Sequence, residues 1–157
     1  MKKLHQQTLV FFKPDAINRG ILGEIITRFE RKGLKVVAMK MINLNDELIN
    51  EHYHHLKNKS FFKNNLIFFQ SVPIVLLVLE GLEAVKVVRN LAGPTFGVDA
   101  PAGTIRGDYS VSTRSNIIHA SDSLENAKIE IARFFNKNEL FDYQKIDEEI
   151  LYAEDER

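Results

Sequence analysis

The sequence predicts an α+β fold, a ferredoxin-like sandwich in which helices cover a four-stranded antiparallel sheet. Three observations support this prediction: short apolar runs typical of strands, segments with helical periodicity, and their order, β-α-β-(αα)-β-α-loop-β-α. This order contains two β-α-β units with extra helices between them. A doubly wound parallel sheet is the main alternative. Because 157 residues suit one domain, residues 1–157 are expected to form a single domain.

The first predicted strand and the first predicted helix each end at a residue that cannot easily continue them. Residues 8–12 form a short apolar run that stops at Pro14, which cannot continue ladder pairing. Apolar residues recur at helical spacing over residues 21–29, and Gly33 closes that helix as a C-cap would. Residues 34–42 are rich in Val, Met and Ile and are typical of a second strand.

The same alternation continues to the end of the domain. Residues 46–71 are polar with scattered aromatics, which favours two short helices. Residues 73–79 form the most apolar run, typical of a buried central strand, and a helix is expected over residues 82–91. A fourth strand contains residues 117–118, and a last long helix covers residues 124–134.

One long segment, residues 93–114, has no periodic pattern and contains four Gly and two Pro. Structureless loops longer than ~12–15 residues are uncommon and are usually functional or disordered. This segment contains Thr95, Arg106 and Arg114 and leads into the strand before the last helix. An ordered binding loop is therefore predicted.

The composition excludes several classes of protein. The chain has no Cys, so it can hold neither a disulfide nor a thiolate metal site. No segment approaches the ~18 uninterrupted apolar residues of a membrane span, and the first residues lack the long apolar run of a secretory signal. A soluble cytoplasmic protein with no membrane partner is expected.

Charge is balanced overall but unevenly distributed. The last eleven residues, from residue 147, hold six acidic groups and one Arg, and this acidic tail is expected to be a solvated terminus. Residues 1–146 therefore carry 20 basic and 15 acidic groups, a net charge of +5. That surplus is compatible with a small anionic ligand, but it does not resemble the Lys/Arg stripe of a nucleic-acid binder.

The segment before the last helix combines a histidine with helix-opening residues. Strand alternation places His119 and Ser121 on one face. Asp122 and Glu125 have the spacing of a capping box, with Asp122 as the N-cap. His119 would then lie near free backbone N–H groups, where phosphate is favoured.

The last helix carries a carboxylate on its apolar face. Glu130 shares this face with Ala127, Ile131 and Phe134 by i, i+3, i+4 spacing. An unpaired buried charge is costly, so Glu130 needs a partner, and His119 could be that partner. The alternative is that His119 packs at a strand end while Glu130 reaches solvent at the rim of the apolar face.

At this point four segments resemble motifs of one family. Residues 116–122, Asn-Ile-Ile-His-Ala-Ser-Asp, are similar to the N-x-x-H-(G/A)-S-D signature of nucleoside diphosphate kinases. Residues 8–16 resemble the family's first strand with its lysine, and residues 103–108 resemble the loop before its active strand. Residues 51–53 and 61–62 resemble the mouth of its nucleotide site. The resemblance covers nearly the whole chain.

The resemblance implies transfer of the γ-phosphoryl of a nucleoside triphosphate, chiefly ATP, to nucleoside diphosphates, which maintains NTP and dNTP pools. It also implies a ping-pong mechanism through a phosphohistidine on His119, which suits an imidazole that is largely neutral near pH 7. Glu130 matches the acidic partner that holds the histidine ring. Ser121 matches the hydroxyl that supports this pair, and Tyr53 matches the hydroxyl beside the histidine.

The resemblance further implies a nucleotide site and its partners. The residues that match groups binding phosphates and sugar hydroxyls are Lys13, Arg89, Thr95, Arg106 and Asn116. Phe61 resembles the aromatic on which the base stacks. Mg2+ is expected to arrive on the nucleotide phosphates, with no metal held directly by the protein. The family implies a homo-oligomer, with a hexamer favoured and a tetramer possible.

The match has two departures that bear on the site. Asn65 stands where the family usually has an apolar residue flanking the base, which changes that wall rather than the chemistry. Gly97 replaces a Pro, which is expected to loosen the loop and weaken subunit assembly. Restoring Pro at position 97 is therefore expected to strengthen assembly.

Three other interpretations remain open. The chain could be a catalytically disabled nucleotide-sensing or regulatory binding module, although His119, Glu130 and Lys13 are intact. DNA binding would rest only on the +5 surplus, so nucleic acid is not an expected partner. The run His52-x-His54-His55 is expected to be a surface cluster, because the sequence places no third ligand for a metal.

Overall fold

An antiparallel sheet forms the centre of the molecule, which the computed structural model describes over residues 5–156. Its strands are β1 (His5–Phe12), β2 (Lys35–Ile42), β3 (Ile74–Leu82) and β4 (Ile118–Ala120). Their spatial order is β2-β3-β1-β4, and every neighbouring pair is antiparallel. The predicted ferredoxin-like α+β fold is confirmed, and the parallel alternative is wrong.

Helices connect and cover these strands. They are α1 (Pro14–Asn18), α2 (Leu22–Arg31), α3 (Asp46–His52), α4 (Phe62–Phe69), α5 (Ala84–Ala92), α6 (Ile105–Tyr109), α7 (Leu124–Phe134) and α8 (Glu148–Leu151). The two helices expected within residues 46–71 are present as α3 and α4. Helix α1 was not predicted; it begins at Pro14, whose fixed φ and missing N–H suit a first helical position.

Side-chain alternation along β1 divides the core into two layers. Val10 and Phe12 belong to a layer that includes α2 and α5, whereas Leu9 and Phe11 belong to a layer with α3, α4 and α7. All four side chains are fully buried. The first strand therefore connects both layers, and it also pairs with the short strand β4 that carries His119.

Several element boundaries differ from the prediction; β1, for example, begins at His5 rather than at residue 8. Strand β3 continues to Leu82, which pairs with His5, and Glu83 then adopts a left-handed φ of 47° before α5 begins at Ala84. Helix α7 is capped by Ser123 rather than Asp122, because Ser123 Oγ accepts the N–H of Asn126 at 3.1 Å. The predicted capping box with Asp122 is therefore wrong by one residue.

Segment 93–114 is structured, as predicted. It contains a short 3-10 turn at Gly97–Asp99 and the helix α6. Thr104 caps α6, since its Oγ1 accepts the N–H of Gly107 at 3.0 Å. Local side-chain and backbone bonds therefore replace the periodic packing that the sequence lacks.

The acidic tail is more than a solvated terminus. Its acidic groups are largely exposed, but Tyr152 packs on His5 with the ring centroids 5.0 Å apart. Leu151 lies against Gly33, where an added Cβ would be 3.3 Å from its Cδ2. The expectation of a purely solvated tail is therefore wrong at these two apolar residues. Within residues 5–156, no helix is long and apolar enough to cross a membrane.

Candidate active site

The strand β4 places His119 against the first strand. His119 pairs with Phe11 across the β1–β4 ladder, and its ring stacks on the Phe11 ring at 4.7 Å and 21°. Just before β4, Ile117 has a φ of 77°, a conformation that is costly for a β-branched residue. The N–H of Ile117 donates to Asp15 Oδ2 at 3.0 Å, and its carbonyl accepts the N–H of Lys13 at 2.9 Å. These two bonds hold the turn that leads into His119.

His119, Glu130 and Ser121 form one hydrogen-bonded group. His119 Nε2 lies 2.9 Å from Glu130 Oε2, and Ser121 Oγ donates to the same oxygen at 2.6 Å. Ser121 Oγ also accepts the N–H of Leu9 at 3.3 Å, which fixes it to β1. No hydrogen bond joins His119 Nδ1 to any group in residues 5–156, so Nδ1 is the ring nitrogen left for chemistry. Glu130 does not reach solvent in the way the alternative interpretation required.

The ionisation of Glu130 follows from its neighbours. Burial alone would raise the pKa of Glu130, but the hydrogen bonds from His119 and Ser121 outweigh it and the net shift is downward. The carboxylate is therefore ionised near neutral pH and accepts from His119 Nε2–H.

A cavity of about 570 Å³ opens in front of His119. It is polar and mainly basic. Eight of the sequence-derived site residues line it: Lys13, Tyr53, Arg89, Thr95, Arg106, Asn116, His119 and Glu130. Ser121 is joined to this set through its hydrogen bond to Glu130. The same space is bordered by Ile118 and Ala120 of β4, by Asp122 just before the cap of α7, and by Asn126 in the first turn of α7.

One wall of the cavity is a chain of polar contacts. Lys13 Nζ donates to Asn116 Oδ1 at 2.6 Å, and Asn116 Nδ2 donates to the Thr95 carbonyl at 2.9 Å. Burial and then the nearby Arg106 charge lower the pKa of Lys13 to about 8. Lys13 therefore remains mostly charged at pH 7, although it is not the permanent cation that an exposed lysine would be.

Arg106 is buried and ties the loop to β4. Its Nε, Nη1 and Nη2 donate to the carbonyls of Asn116, Gly93 and Ile118 at 3.1, 2.8 and 2.8 Å. A guanidinium has five N–H groups, so two remain for a ligand. Burial, and then the Arg89 charge, lower the pKa of Arg106 to about 10, and it remains cationic at neutral pH.

Arg89 and Tyr53 complete the sequence-derived set at the cavity. Arg89 is exposed, and its Nη1 lies 3.4 Å from the Ala120 carbonyl at the end of β4. The Tyr53 ring stacks on Phe69 at 5.0 Å. Burial raises the pKa of Tyr53, so its hydroxyl is neutral and can donate.

Phe61 does not line the cavity with the other residues. It precedes α4, and its side chain is 41% exposed. In the next turn, Asn65 Oδ1 accepts from Arg114 Nε at 2.9 Å. The carbonyl of Arg114 in turn lies 3.5 Å from Lys13 Nζ. Helix α4 is therefore linked to the Lys13 wall through Asn65 and Arg114.

Sequence reasoning missed His52 as a site residue. His54 and His55 are exposed, but His52 is buried and its ring centroid is 4.6 Å from that of His119, at 83°. The surface-cluster interpretation is therefore wrong for His52. The signal was available: His52 lies three residues after the buried Ile49, on the same face of α3.

His52, His119 and Glu130 form a candidate metal cluster, since one ligand atom from each lies within 4.8 Å of the others. The donors do not suit a divalent cation, however. Arg133 Nη1 lies 3.1 Å from His52 Nδ1 and can only donate, so the proton of neutral His52 is on Nε2. His52 thus offers no free lone pair, and a nitrogen-rich set is a poor match for Mg2+.

Comparison with known proteins gives similarities over nearly the whole chain. The family model for nucleoside diphosphate kinase matches residues 6–140. A nucleoside diphosphate kinase of Parabacteroides distasonis is 51% identical over 151 residues, which cover 96% of this chain and 99% of the relative. A nucleoside diphosphate kinase of Pyrococcus horikoshii is 50% identical over 143 residues, which cover 89% and 91%.

Solved structures give the same result. The structure of a halophilic nucleoside diphosphate kinase from Halobacterium salinarum in complex with CDP has a TM-score of 0.91 and 41% identity. The alignment with this structure covers 94% of the present chain and 99% of the Halobacterium salinarum chain. A nucleoside diphosphate kinase family protein from Babesia bovis has a TM-score of 0.90 and 40% identity, with the same coverage.

Proposed function

The chain belongs to the nucleoside diphosphate kinase family and has that phosphotransferase activity, and we propose that the transfer passes through a phosphohistidine on His119. One observation carries the proposal. His119 Nε2 is bonded to Glu130 at 2.9 Å, which leaves Nδ1 as the nucleophile in a cavity lined by Lys13, Arg89 and Arg106. A neutral imidazole with one free lone pair, facing cations, is suited to accept a phosphoryl group.

The first half-reaction forms one bond and breaks one. The lone pair of His119 Nδ1 attacks the γ-phosphorus of a nucleoside triphosphate, and the bond to the β–γ bridging oxygen breaks to release the diphosphate. Positive charge develops on the imidazole, and the Glu130 carboxylate bonded to Nε2–H stabilises it. The second half-reaction is the reverse, with a terminal oxygen of another nucleoside diphosphate attacking the phosphohistidine.

The basic wall supplies the charge that the phosphates require. We assign phosphate binding to Lys13, Arg89 and Arg106, because each is cationic near pH 7 and lines the cavity. Arg106 keeps two free N–H groups, and the Tyr53 hydroxyl is a neutral donor. Thr95 and Asn116 are placed to bind phosphate or sugar hydroxyls. Positioning and charge neutralisation are the main demands of phosphoryl transfer.

The base and the metal enter with the nucleotide. Phe61 is assigned to base stacking, since its side chain is exposed and stacking accepts every base. Mg2+ is assigned to the nucleotide phosphates, where it would neutralise charge, because the protein donors nearest His119 are nitrogen-rich. The nucleoside tri- and diphosphates are therefore the small-molecule partners.

A homo-oligomer is proposed, with a hexamer favoured over a tetramer. Large apolar side chains are exposed in several parts of the described chain, among them Met39 and Met41 on the edge strand β2 and Phe96, Val98 and Val111 in segment 93–114. Neighbouring exposed apolar groups such as the two methionines are typical of protein interfaces.

Labelling with γ-phosphate-labelled ATP tests the phosphohistidine. The wild type is expected to take up label that is acid-labile and base-stable, and to lose it when GDP is added. His119→Gln is expected to take up no label and to lose nearly all transfer activity, because it removes the lone pair of Nδ1. His5→Gln, at the far end of β1, is the matched control and should keep the label.

Label that persists in His119→Gln would contradict the proposed intermediate. If the wild type binds nucleotides but takes up no label, the regulatory binding module becomes the better description. The two failures are distinct, because nucleotide binding is measured separately by calorimetry.

A further inference from the structure

Arg133 and His52 form a contact beside His119 that the proposed transfer does not use. Arg133 lies near the end of α7, its side chain is only 13% exposed, and it lines the nucleotide cavity. Its Nε donates to Glu51 Oε1 at 2.9 Å, and its Nη1 donates to His52 Nδ1 at 3.1 Å. The guanidinium is thus held from two sides and faces the ring that packs on the catalytic histidine.

This contact fixes the tautomer of His52. Arginine has no acceptor and does not lose its proton in proteins, so His52 Nδ1 must be the acceptor. A neutral His52 then carries its proton on Nε2. A protonated His52 would carry a second proton on Nδ1, directed at the Arg133 cation. Arg133 therefore opposes the charging of His52.

The other groups around His52 divide into two sets. His119 on β4 and His55 beyond α3 disfavour a positive charge on His52, as does burial among Phe11, Tyr53 and Phe134. Glu130 on α7 favours such a charge, and Glu51 next to it is paired with Arg133. Burial, then the His119 charge and lesser effects that include Arg133, lower the pKa of His52 to about 3.

A charge on His52 would disturb the catalytic pair. One ring nitrogen of His52 lies within 4.8 Å of a Glu130 carboxylate oxygen and of a His119 ring nitrogen. A cation at that distance would compete with His119 Nε2–H for the single Glu130 carboxylate. His119 would then lose the acceptor that sets its ring orientation and leaves Nδ1 free.

We propose that Arg133 is a positioning residue that fixes His52 as its Nε2–H tautomer, adds to the burial that keeps His52 uncharged, and so reserves Glu130 for His119. This inference rests on the proposed function of His119 and deepens it. Glu51 contributes to this positioning, because its hydrogen bond with Arg133 Nε orients the guanidinium toward His52.

The pH dependence of kcat/KM tests the proposal. Arg133→Met keeps the length of the side chain but removes its donors. The activity of this variant relative to wild type at pH 8 is the reference. This relative activity should fall about threefold or more by pH 4.5, because loss of the Arg133 charge raises the pKa of His52, while burial and the His119 charge still hold it below the ordinary value of ~6.5. Lys128→Met, which removes an exposed cation from the same helix, is the matched control and should follow wild type throughout.

Two further variants separate positioning from simple packing. Arg133→Lys still donates to Nδ1 and is expected to restore much of the activity at pH 4.5. In Arg133→Met combined with His52→Gln, nothing titrates at position 52, so the acid loss is expected to disappear. A relative activity of Arg133→Met that is independent of pH would overturn the proposal.

Imidazole nitrogen NMR spectra provide a readout that does not depend on activity. The His52 signals of the wild type are expected to report a proton on Nε2 and an unprotonated Nδ1, whereas Arg133→Met should show increased protonation of Nδ1. A wild-type His52 with its proton on Nδ1 would also overturn the proposal. Neither result depends on whether His119 forms a phosphoenzyme, so failure here is distinguishable from failure of the proposed function.

Discussion

Buried neighbours set the charge of each ionisable group around His119. Glu130 remains a carboxylate because hydrogen bonds from His119 and Ser121 outweigh its burial. At Tyr53, burial and then the Glu130 charge raise the pKa and outweigh the Arg106 charge, so the hydroxyl stays protonated. Lys13 is only partly ionised near pH 8, because burial and then the Arg106 charge lower its pKa to about 8. The cavity therefore offers cations and a neutral donor at pH 7, but its positive charge decreases in mildly alkaline solution.

This lysine gives a prediction on nucleotide binding. A group with a pKa of about 8 is charged below pH 8 and neutral above it, so phosphate affinity should fall as the pH rises. The dissociation constant for a nucleoside diphosphate is expected to rise about tenfold between pH 7 and pH 9, since the charged fraction falls ~tenfold per unit above the pKa. Calorimetric titration at several pH values measures it.

Lys13→Arg is the test variant for this effect. The affinity of this variant for a nucleoside diphosphate should depend much less on pH, because arginine keeps its proton. Binding at pH 7 should be weaker, because the planar guanidinium fits against Asn116 less well than the lysine ammonium does. Equal pH dependence in both proteins would show that another group causes the loss.

Among the elements, segment 93–114 depends most on single contacts. Arg106 joins the first residue of the segment, Gly93, to Asn116 just beyond its end, since both carbonyls accept from one guanidinium. Its centre is packed backbone on backbone: a Cβ at Gly97 would lie 2.3 Å from the Ser110 carbonyl oxygen. The glycine is therefore required by close approach. Proline has a Cβ at the same place, so restoring Pro at position 97 is now expected to strain the loop rather than strengthen assembly.

A pair of glycine substitutions tests this packing. Gly97→Ala is expected to lower the free energy of unfolding by about 1–3 kcal/mol, as overpacking does, and to weaken nucleotide binding through Thr95. Gly23→Ala, in α2, meets no atom within 4 Å and should raise stability by up to ~1 kcal/mol from helix propensity. Urea denaturation and nucleotide titration measure both effects. If Gly97→Ala left the free energy of unfolding unchanged, that result would contradict the tight packing at this position.

For the whole molecule, the C-terminal segment covers part of the edge strand β2. We call residues 141–156 the strap. Its Phe141 N–H donates to the Val37 carbonyl at 3.0 Å, at the register shift in β2. The Tyr143 carbonyl accepts from Lys35 Nζ at 3.0 Å, and Lys35 also pairs with Glu80 at 2.6 Å. The strap thus covers residues 35–37, whereas Met39 and Met41 farther along β2 are exposed.

The open part of β2 gives a prediction on assembly. Met39 and Met41 are 57% and 58% exposed on this edge, and lysine at a strand edge opposes pairing with another chain. The double substitution Met39→Lys and Met41→Lys is expected to convert a hexamer into smaller species by sedimentation equilibrium. Ile67→Lys, which is equally exposed on α4, is the control and should not change the mass. A wild type that sediments as a monomer would contradict the proposed oligomer.

Local pattern by itself determined much of this protein. Apolar periodicity placed the four strands and the long helices, because side chains alternate along strands and repeat every three to four residues along helices. The Asn116–Asp122 motif and the Glu130 spacing identified the histidine and its partner before any geometry was known. These features can be predicted from the sequence because each depends on residues that are close together in the chain, or on a family signature.

Tertiary structure alone decided the rest. The sequence predicts that His52 belongs to a surface cluster, yet helix α3 packs its ring against that of His119. Arg133 meets His52 although 81 positions separate them, and Arg106 meets carbonyls on both sides of its loop. The antiparallel order β2-β3-β1-β4 and the seating of the strap are likewise long-range. Spacing along a chain cannot specify such contacts, because their free energy comes from burial and charge pairing that exist only once distant segments have packed.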